Sequence, residues 1–206
     1  MNYLAHIFLS GNDLDVQVGN FMGDAIKGKQ YEKFPVQIQK GILLHRYIDS
    51  FTDQHELVKQ SKRRLSPQYG HYSGVLVDIF YDHFLSTNWH LYHTTSLSNF
   101  VSNFLKILQE KQKFLDSESR QRAAYLLKHN WLIKSQSIDG VAEVLQGMEA
   151  KIKYLVPLHL GVQDLQLNYK QLEADFLAFF PLLQTYSLDI LQTLDQQYET
   201  YKQHDL

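Results

Sequence analysis

GILLHRYIDSFTDQH, residues 41–55, carries two patterns at once. Ile42, Leu43, Leu44, Ile48 and Phe51 are apolar enough to dock the segment on a core. His45, Asp49 and Asp53 recur among them at every fourth residue. At 3.6 residues per turn they share one slowly drifting stripe of a helix. An imidazole and two carboxylates along one line, followed by His55, admit two readings. One is a solvated charged face with Asp49 paired to Arg46; the other is the wall of a metal pocket.

Composition bounds the rest. The chain has 206 residues, 44% hydrophobic and 20% charged, which suits one soluble globular domain spanning 1–206. A net charge of −2 gives no overall attraction to nucleic acid or to an anionic membrane. There are no cysteines, so disulfides, thiolate metal sites and cysteine nucleophiles are excluded, in keeping with a reducing cytoplasm. No apolar run approaches the ~20 residues of a membrane span. MNYLAHIFLSGND at the start lacks a basic region and reads as a core helix or buried turn, not a signal peptide.

Four prolines and ten glycines punctuate long stretches rich in Leu, Gln, Lys and Glu. That pattern predicts helices over about 16–27, 35–50, 53–65, 71–87, 96–113, 117–131, 138–154 and 168–203. Pro35 reads as a first-turn proline, and Asp116 or Ser117 and Asp139 as N-caps. Pro181 is expected to kink or break the last helix. The fold class is all-α, a single helical bundle. Histidines and aspartates crowd into the first 83 residues, so the active-site half is expected within 1–90, with 91–206 supplying packing and walls.

Two further segments add donors. VDIFYDHF, residues 77–84, sets Asp78 and Asp82 at i, i+4 beside His83 in a helix apolar enough to be buried on most sides. Carboxylates there need partners, whether a metal ion or a structural network with histidine or arginine. GNFMGDAIKG, residues 19–28, carries Asp24 and Lys27 but lacks the spacing of a phosphate loop. Oxygen and imidazole ligands without thiolates suit Mn²⁺, Mg²⁺, Fe²⁺ or Zn²⁺, and such a site activates water and clamps phosphate. KQSKRRL, residues 59–65, concentrates Lys59, Lys62, Arg63 and Arg64. It is either a solvated face or a dock for an acidic partner.

MNYLAHIFLS, GNFMGDAIKG, GILLHRYIDSFTDQH and VDIFYDHFLSTNW, in that order over residues 1 to 90, resemble the bacterial acyl carrier protein phosphodiesterases. The resemblance implies hydrolysis of the phosphodiester between 4'-phosphopantetheine and the serine of holo-acyl carrier protein, within lipid and fatty acid metabolism. It also implies Mn²⁺ dependence and a divergent HD-phosphohydrolase-like bundle. On that basis Asp24, His45, Asp49 and Asp78 are the expected metal ligands, with Asp82, His83, Asp53 and His55 beside them. Lys27 or Arg46 is expected to face the phosphate oxygens, and His83 or His6 to protonate the departing serine oxygen. The cluster of Lys59, Lys62, Arg63 and Arg64 is expected to meet the acidic carrier protein. Three positions depart from the patterns of the family or its wider superfamily: Asp82-His83 reverses the usual His-Asp pair, Arg46 follows His45, and Glu56 follows His55 where the family has proline. Other substrate classes consistent with the residues are a small nucleotide or phosphomonoester, and a non-catalytic helical binding module has no need of a metal.

Overall fold

The structure, a computed structural model, describes residues 1–150 and 156–204. Among them there are helices and connecting turns and no strand. In chain order the α-helices are α1 (Tyr3–Leu9), α2 (Leu14–Met22), α3 (Val36–Gln54), α4 (Glu56–Arg63), α5 (Ser73–Thr87), α6 (Leu97–Glu110), α7 (Ser117–His129), α8 (Trp131–Lys134), α9 (Ile138–Glu149), α10 (Gly161–Leu167) and α11 (Tyr169–His204). The all-α reading holds. The end of the helix expected over 138–154 lies outside the described residues.

The pairing of α2 with α3 positions the site, and glycine makes it possible. A methyl at Gly19 would lie 2.1 Å from the Ile38 carbonyl oxygen, and one at Gly41 would lie 2.1 Å from that of Val16. The two backbones therefore touch directly at these positions, with no side chain between them. Apolar side chains fill the remaining interface, with Ile38, Ile42, Leu44 and Ile48 of α3 all buried. Across from them, α5 is buried on nearly every side from Leu76 to Ser86, as its composition predicts. The first half of α11 completes the core with Leu172, Phe176, Phe179, Phe180 and Leu183, spaced on one helical face.

Local signals decide most helix ends, though not always at the expected residue. Asp116 does cap α7, accepting from the Glu118 and Ser119 amides. Asp139 is not the cap of α9: Ser137 accepts from Gly140 N–H, and Asp139 lies in the first turn, where its charge suits the helix dipole. Pro35 stands one residue before α3, at its N-cap. α3 runs on to Gln54, so Asp53 belongs to the same helix as His45 and Asp49.

Pro181 neither breaks nor ends α11, which is continuous from Tyr169 to His204. Proline costs a helix one N–H and crowds the carbonyl four residues back. Here Pro181 and Leu177 are both on the exposed face, where water can solvate that carbonyl. The buried stripe through Leu172, Phe176, Phe179 and Leu183 holds the helix together across it.

Candidate active site

α1, α2, α3 and α5 converge on a cavity of about 440 Å³ lined by Met1, Tyr3, His6, Asn20, Asp24, His45, Asp49, Asp53 and Asp78, with Arg122, Trp131 and Met148 on its far side. Its centre is a group that sequence spacing alone does not assemble. His6 Nε2 lies 3.1 Å from Asp49 Oδ1, and His45 Nε2 lies 3.1 Å from Asp49 Oδ2. The two imidazoles stack with ring centroids 4.1 Å apart. Ligand atoms of His6, His45 and Asp49 all fall within 4.8 Å of one another.

Asn20 orients this group and is the residue missed by sequence reasoning. Its Nδ2 donates to the His6 carbonyl and to Ser10 Oγ, which leaves Oδ1 as an acceptor. That oxygen lies 2.8 Å from His6 Nδ1 and 3.2 Å from His45 Nδ1. Both imidazoles therefore present Nδ1–H to Asn20 and turn Nε2 towards Asp49. The only prior signal was its spacing, four residues before Asp24. Gly23 makes room for the arrangement, since a methyl there would lie 2.2 Å from His45 Cγ.

The protonation balance shows what the arrangement lacks. Burial, then the facing His45 cation, pushes His6 down to about 4. Burial opposes the His45 cation too, but hydrogen bonds and charge from Asp24 and Asp49 outweigh it and raise that imidazole to about 9. The hydrogen bond from His45 in turn holds Asp24 down to about 2. Asp49 also lies well below the usual carboxylate range: burial works against its charge, and the two histidines more than offset it. A neutral His6 has one N–H for two oxygen neighbours, Asn20 Oδ1 and Asp49 Oδ1. One nitrogen lone pair must then face an oxygen at 2.8 or 3.1 Å. His6, His45 and Asp49 would hold a divalent cation, which would relieve that conflict, so the donor set fits a metal of the imidazole- and oxygen-binding kind.

Metal-free protein has a testable pH signature. His6 binds its proton less readily folded than unfolded, so its stabilising contribution is present above about pH 6.5 and lost as pH falls towards 4. His45 binds its proton more readily folded, so its contribution is present below about pH 6.5 and lost as pH rises through 9. Each limb is on the order of 3 kcal/mol at its far end. Melting temperature in EDTA is expected to decline between about pH 7 and 9, and His45→Asn to remove that decline; at lower pH the buried Asp82 carboxyl, raised to about 7, offsets the His6 limb. A flat wild-type profile from about pH 7 to 9 overturns the assignment.

The other expected site residues divide between cavity and scaffold. Asp78 lines the cavity and pairs with the Met1 amino group at 3.1 Å. Asp53 lines it too and pairs with Lys62 at 3.1 Å. Asp82 instead accepts the Leu4 and Ala5 amides at 2.8 and 3.0 Å, satisfying the free N–H groups at the start of α1 from α5. Burial raises its carboxyl to about 7, against the pull of those two amides. His83 is held between the Ser135 carbonyl and the Tyr169 hydroxyl and does not line the cavity. His55 accepts from the Leu57 amide at the start of α4 and packs against Phe51 and Phe179. Lys27 donates to the Asp24 carbonyl, and Arg46 donates to those of Ile26 and Gly28. These two brace the turn that carries Asp24 rather than lining the cavity. Arg64 is locked to buried Asp175 at 2.9 Å, whereas Lys59 and Arg63 meet only exposed Glu56.

The second half of the chain supplies more than wall. Arg122 of α7 reaches back to Asp24 at 2.9 Å, bringing a guanidinium to the cavity that no spacing in the first half could foretell.

Fold and site together define an all-α protein with a two-imidazole, one-carboxylate donor set of the type that holds a divalent cation in a hydrolytic pocket. The family model for acyl carrier protein phosphodiesterase matches residues 1–183. Relatives bearing that name include proteins of Photorhabdus laumondii, 32% identical with 89% of this chain and 93% of the relative covered, and of Klebsiella pneumoniae, 33% identical with 88% and 94% covered. One from Yersinia enterocolitica is 30% identical with 92% and 98% covered. The chain belongs to the acyl carrier protein phosphodiesterase family. No solved structure matches it. Among the described residues no helix is long and apolar enough to cross a membrane.

Proposed function

We propose that this protein hydrolyses the phosphodiester joining 4'-phosphopantetheine to the serine of holo-acyl carrier protein, in the cytoplasm and with Mn²⁺ as the metal. The observation that carries the reading is the His6–His45–Asp49 set, oriented by Asn20, inside a cavity of a chain of this family. The expected kinship with HD phosphohydrolases is part of the proposal, supported by imidazole and carboxylate donors on an all-α scaffold. His6, His45 and Asp49 would hold the metal, with Asp24 and Asp78 flanking them. Bound there, a divalent cation supplies charge to stabilise a phosphoryl oxygen and lowers the pKa of water.

The chain's own residues do the rest. Asp24, held at about 2 and facing the cavity, stays ionised at neutral pH and can accept a hydrogen bond from the attacking water. Water forms the new P–O bond and gives up a proton to Asp24, which passes it to solvent, while the P–O bond to serine breaks and the serine oxygen takes a proton. His83 does not line the cavity, and His6 belongs with the metal donors, so that proton is assigned to Asp78, which lines the cavity with the Met1 ammonium 3.1 Å away to supply it. Asn20 keeps both Nε2 atoms aimed inward throughout.

Substrate choice rests on α4. Lys62 pairs with Asp53 of the cavity wall, so the basic face of Lys59, Lys62 and Arg63 adjoins the mouth. An acidic carrier protein docks there, and a small phosphoester needs no such face. Reversing Lys59, Lys62 and Arg63 to Glu is expected to cut kcat/KM at least about tenfold at low salt, with the loss fading as salt rises and kcat little changed. Arg64 is left intact because it holds Asp175. Unchanged kinetics would favour a small substrate. The direct test is the intact mass of holo-acyl carrier protein after incubation with the protein and Mn²⁺. Loss of one phosphopantetheine arm, blocked by EDTA, is the expected result, and an unchanged mass overturns the reading.

A further inference from the structure

A second cavity of about 420 Å³ adjoins the first and shares three of its walls, Tyr3, Arg122 and Trp131. Its remaining lining is Glu118, Gln121, Tyr125 and Leu126. The chain builds this space deliberately. Asn130 adopts the left-handed conformation (φ 52°, ψ 39°), uncommon for any residue but glycine, and it ends α7 so that Trp131 starts α8. Tyr125 and Trp131 then meet edge-to-face with ring centroids 4.6 Å apart. Gly147 of α9 leaves room behind them, since a methyl there would lie 2.7 Å from the Tyr125 hydroxyl and 3.2 Å from Trp131 Cζ2.

Arg122 stands where the two cavities meet. It is the only Lys or Arg among the described residues that lines the first cavity, and its partners are carboxylates at the rim: Asp24 at 2.9 Å and Glu118 at 2.5 Å. Its two terminal nitrogens each meet a different carboxylate, and a guanidinium so placed can turn the same N–H groups to a phosphate.

Resting on the proposed function, we propose that the trough of Tyr3, Tyr125 and Trp131 holds the pantetheine arm, and that Arg122 grips the phosphate where arm and donor set meet. The chemistry matches on both sides. The arm is uncharged beyond its phosphate, with a dimethyl-substituted carbon and a hydroxyl next to the phosphate end and two amides further along, and it suits apolar aromatic walls with a few hydrogen-bonding groups. The Gln121 amide, in the lining of the same cavity, supplies one of those groups. With the arm in the trough, the scissile bond lies between Arg122 and His6, His45 and Asp49. The carrier protein is left on the side of α4.

The test is calorimetric titration of the Mn²⁺-supplemented full chain with free 4'-phosphopantetheine and, separately, with inorganic phosphate. Trp131→Ala is expected to weaken 4'-phosphopantetheine binding about tenfold or more and to leave phosphate binding unchanged. Arg122→Gln is expected to weaken both ligands. Tyr125→Leu replaces Trp131→Ala if circular dichroism shows the latter misfolded. Absence of 4'-phosphopantetheine binding by the wild type, or equal binding by wild type and trough variants, overturns the inference. Cleavage of holo-acyl carrier protein by the wild type is scored separately. Its failure with 4'-phosphopantetheine still bound counts against the reaction and leaves the trough standing, whereas cleavage without trough dependence does the reverse.

Discussion

Asp49→Ala is expected to abolish turnover and Mn²⁺ binding while the protein stays folded. Among the described residues Asp49 is the one carboxylate that faces both Nε2 atoms, 3.1 Å from each, so no neighbour among them replaces it without moving. Of the two imidazoles, Asp24 reaches only that of His45, at 3.3 Å. The side chain is 39% exposed, so its removal opens no buried void. The lost hydrogen bonds should lower stability by only about 1–2 kcal/mol. The activity loss should exceed the roughly 10- to 100-fold that follows from removing a partner of a metal ligand. Asn20→Ala supplies that smaller effect for comparison, because it keeps every donor atom and releases only the orientation of the rings. Both effects are read from turnover of holo-acyl carrier protein and from Mn²⁺ titration, with chemical denaturation as the control on folding. Asp49→Ala with wild-type turnover would remove His6, His45 and Asp49 from the centre of the mechanism.

Gly41→Ala is expected to be among the most destabilising single changes in the chain, although it adds one methyl group. That methyl would lie 2.1 Å from the Val16 carbonyl oxygen, 2.6 Å from the Asn20 amide nitrogen and 2.8 Å from Gly19 Cα. All three are backbone atoms, so no side chain can rotate away and α2 and α3 must separate. Overpacking usually costs about 1–3 kcal/mol where side chains can adjust. Here more than about 3 kcal/mol is expected. Because Asn20 and His45 sit on the two separated helices, metal affinity should fall in parallel. Gly28→Ala is the contrast: its φ of 53° strains any side chain, but nothing lies within 4 Å. It should cost only about 1 kcal/mol. A Gly41→Ala protein within about 1 kcal/mol of wild type would mean that the helices are not in backbone contact.

Much of the scaffold is legible in the chain because helices are local. The all-α class, the stripe of His45, Asp49 and Asp53, the burial of α5 and the Asp116 cap all follow from spacing within one or two turns. Where the structure places residues differently from what local spacing suggests, the origin is packing. Pro181 has the local chemistry of a helix breaker, and its tolerance depends on an exposed face and a buried stripe contributed by the whole of α11. His83 looks like a catalytic histidine beside Asp82, yet its ring is turned to Ser135 and Tyr169 while Asp82 caps α1. Lys27 and Arg46 have the charge for a phosphate but spend it on backbone carbonyls of one turn.

By itself the sequence determined which side chains share a helical face, because a 3.6-residue repeat places neighbours without reference to any other part of the chain. It also held the blocks that mark the family. Only the tertiary structure decided which faces meet. His6 joins His45 and Asp49 because Gly19 and Gly41 let α2 and α3 touch, placing Asn20 between the two rings. Arg122 joins Asp24 across 98 residues. Such convergence depends on backbone contact and the sum of the packing, which no local spacing encodes.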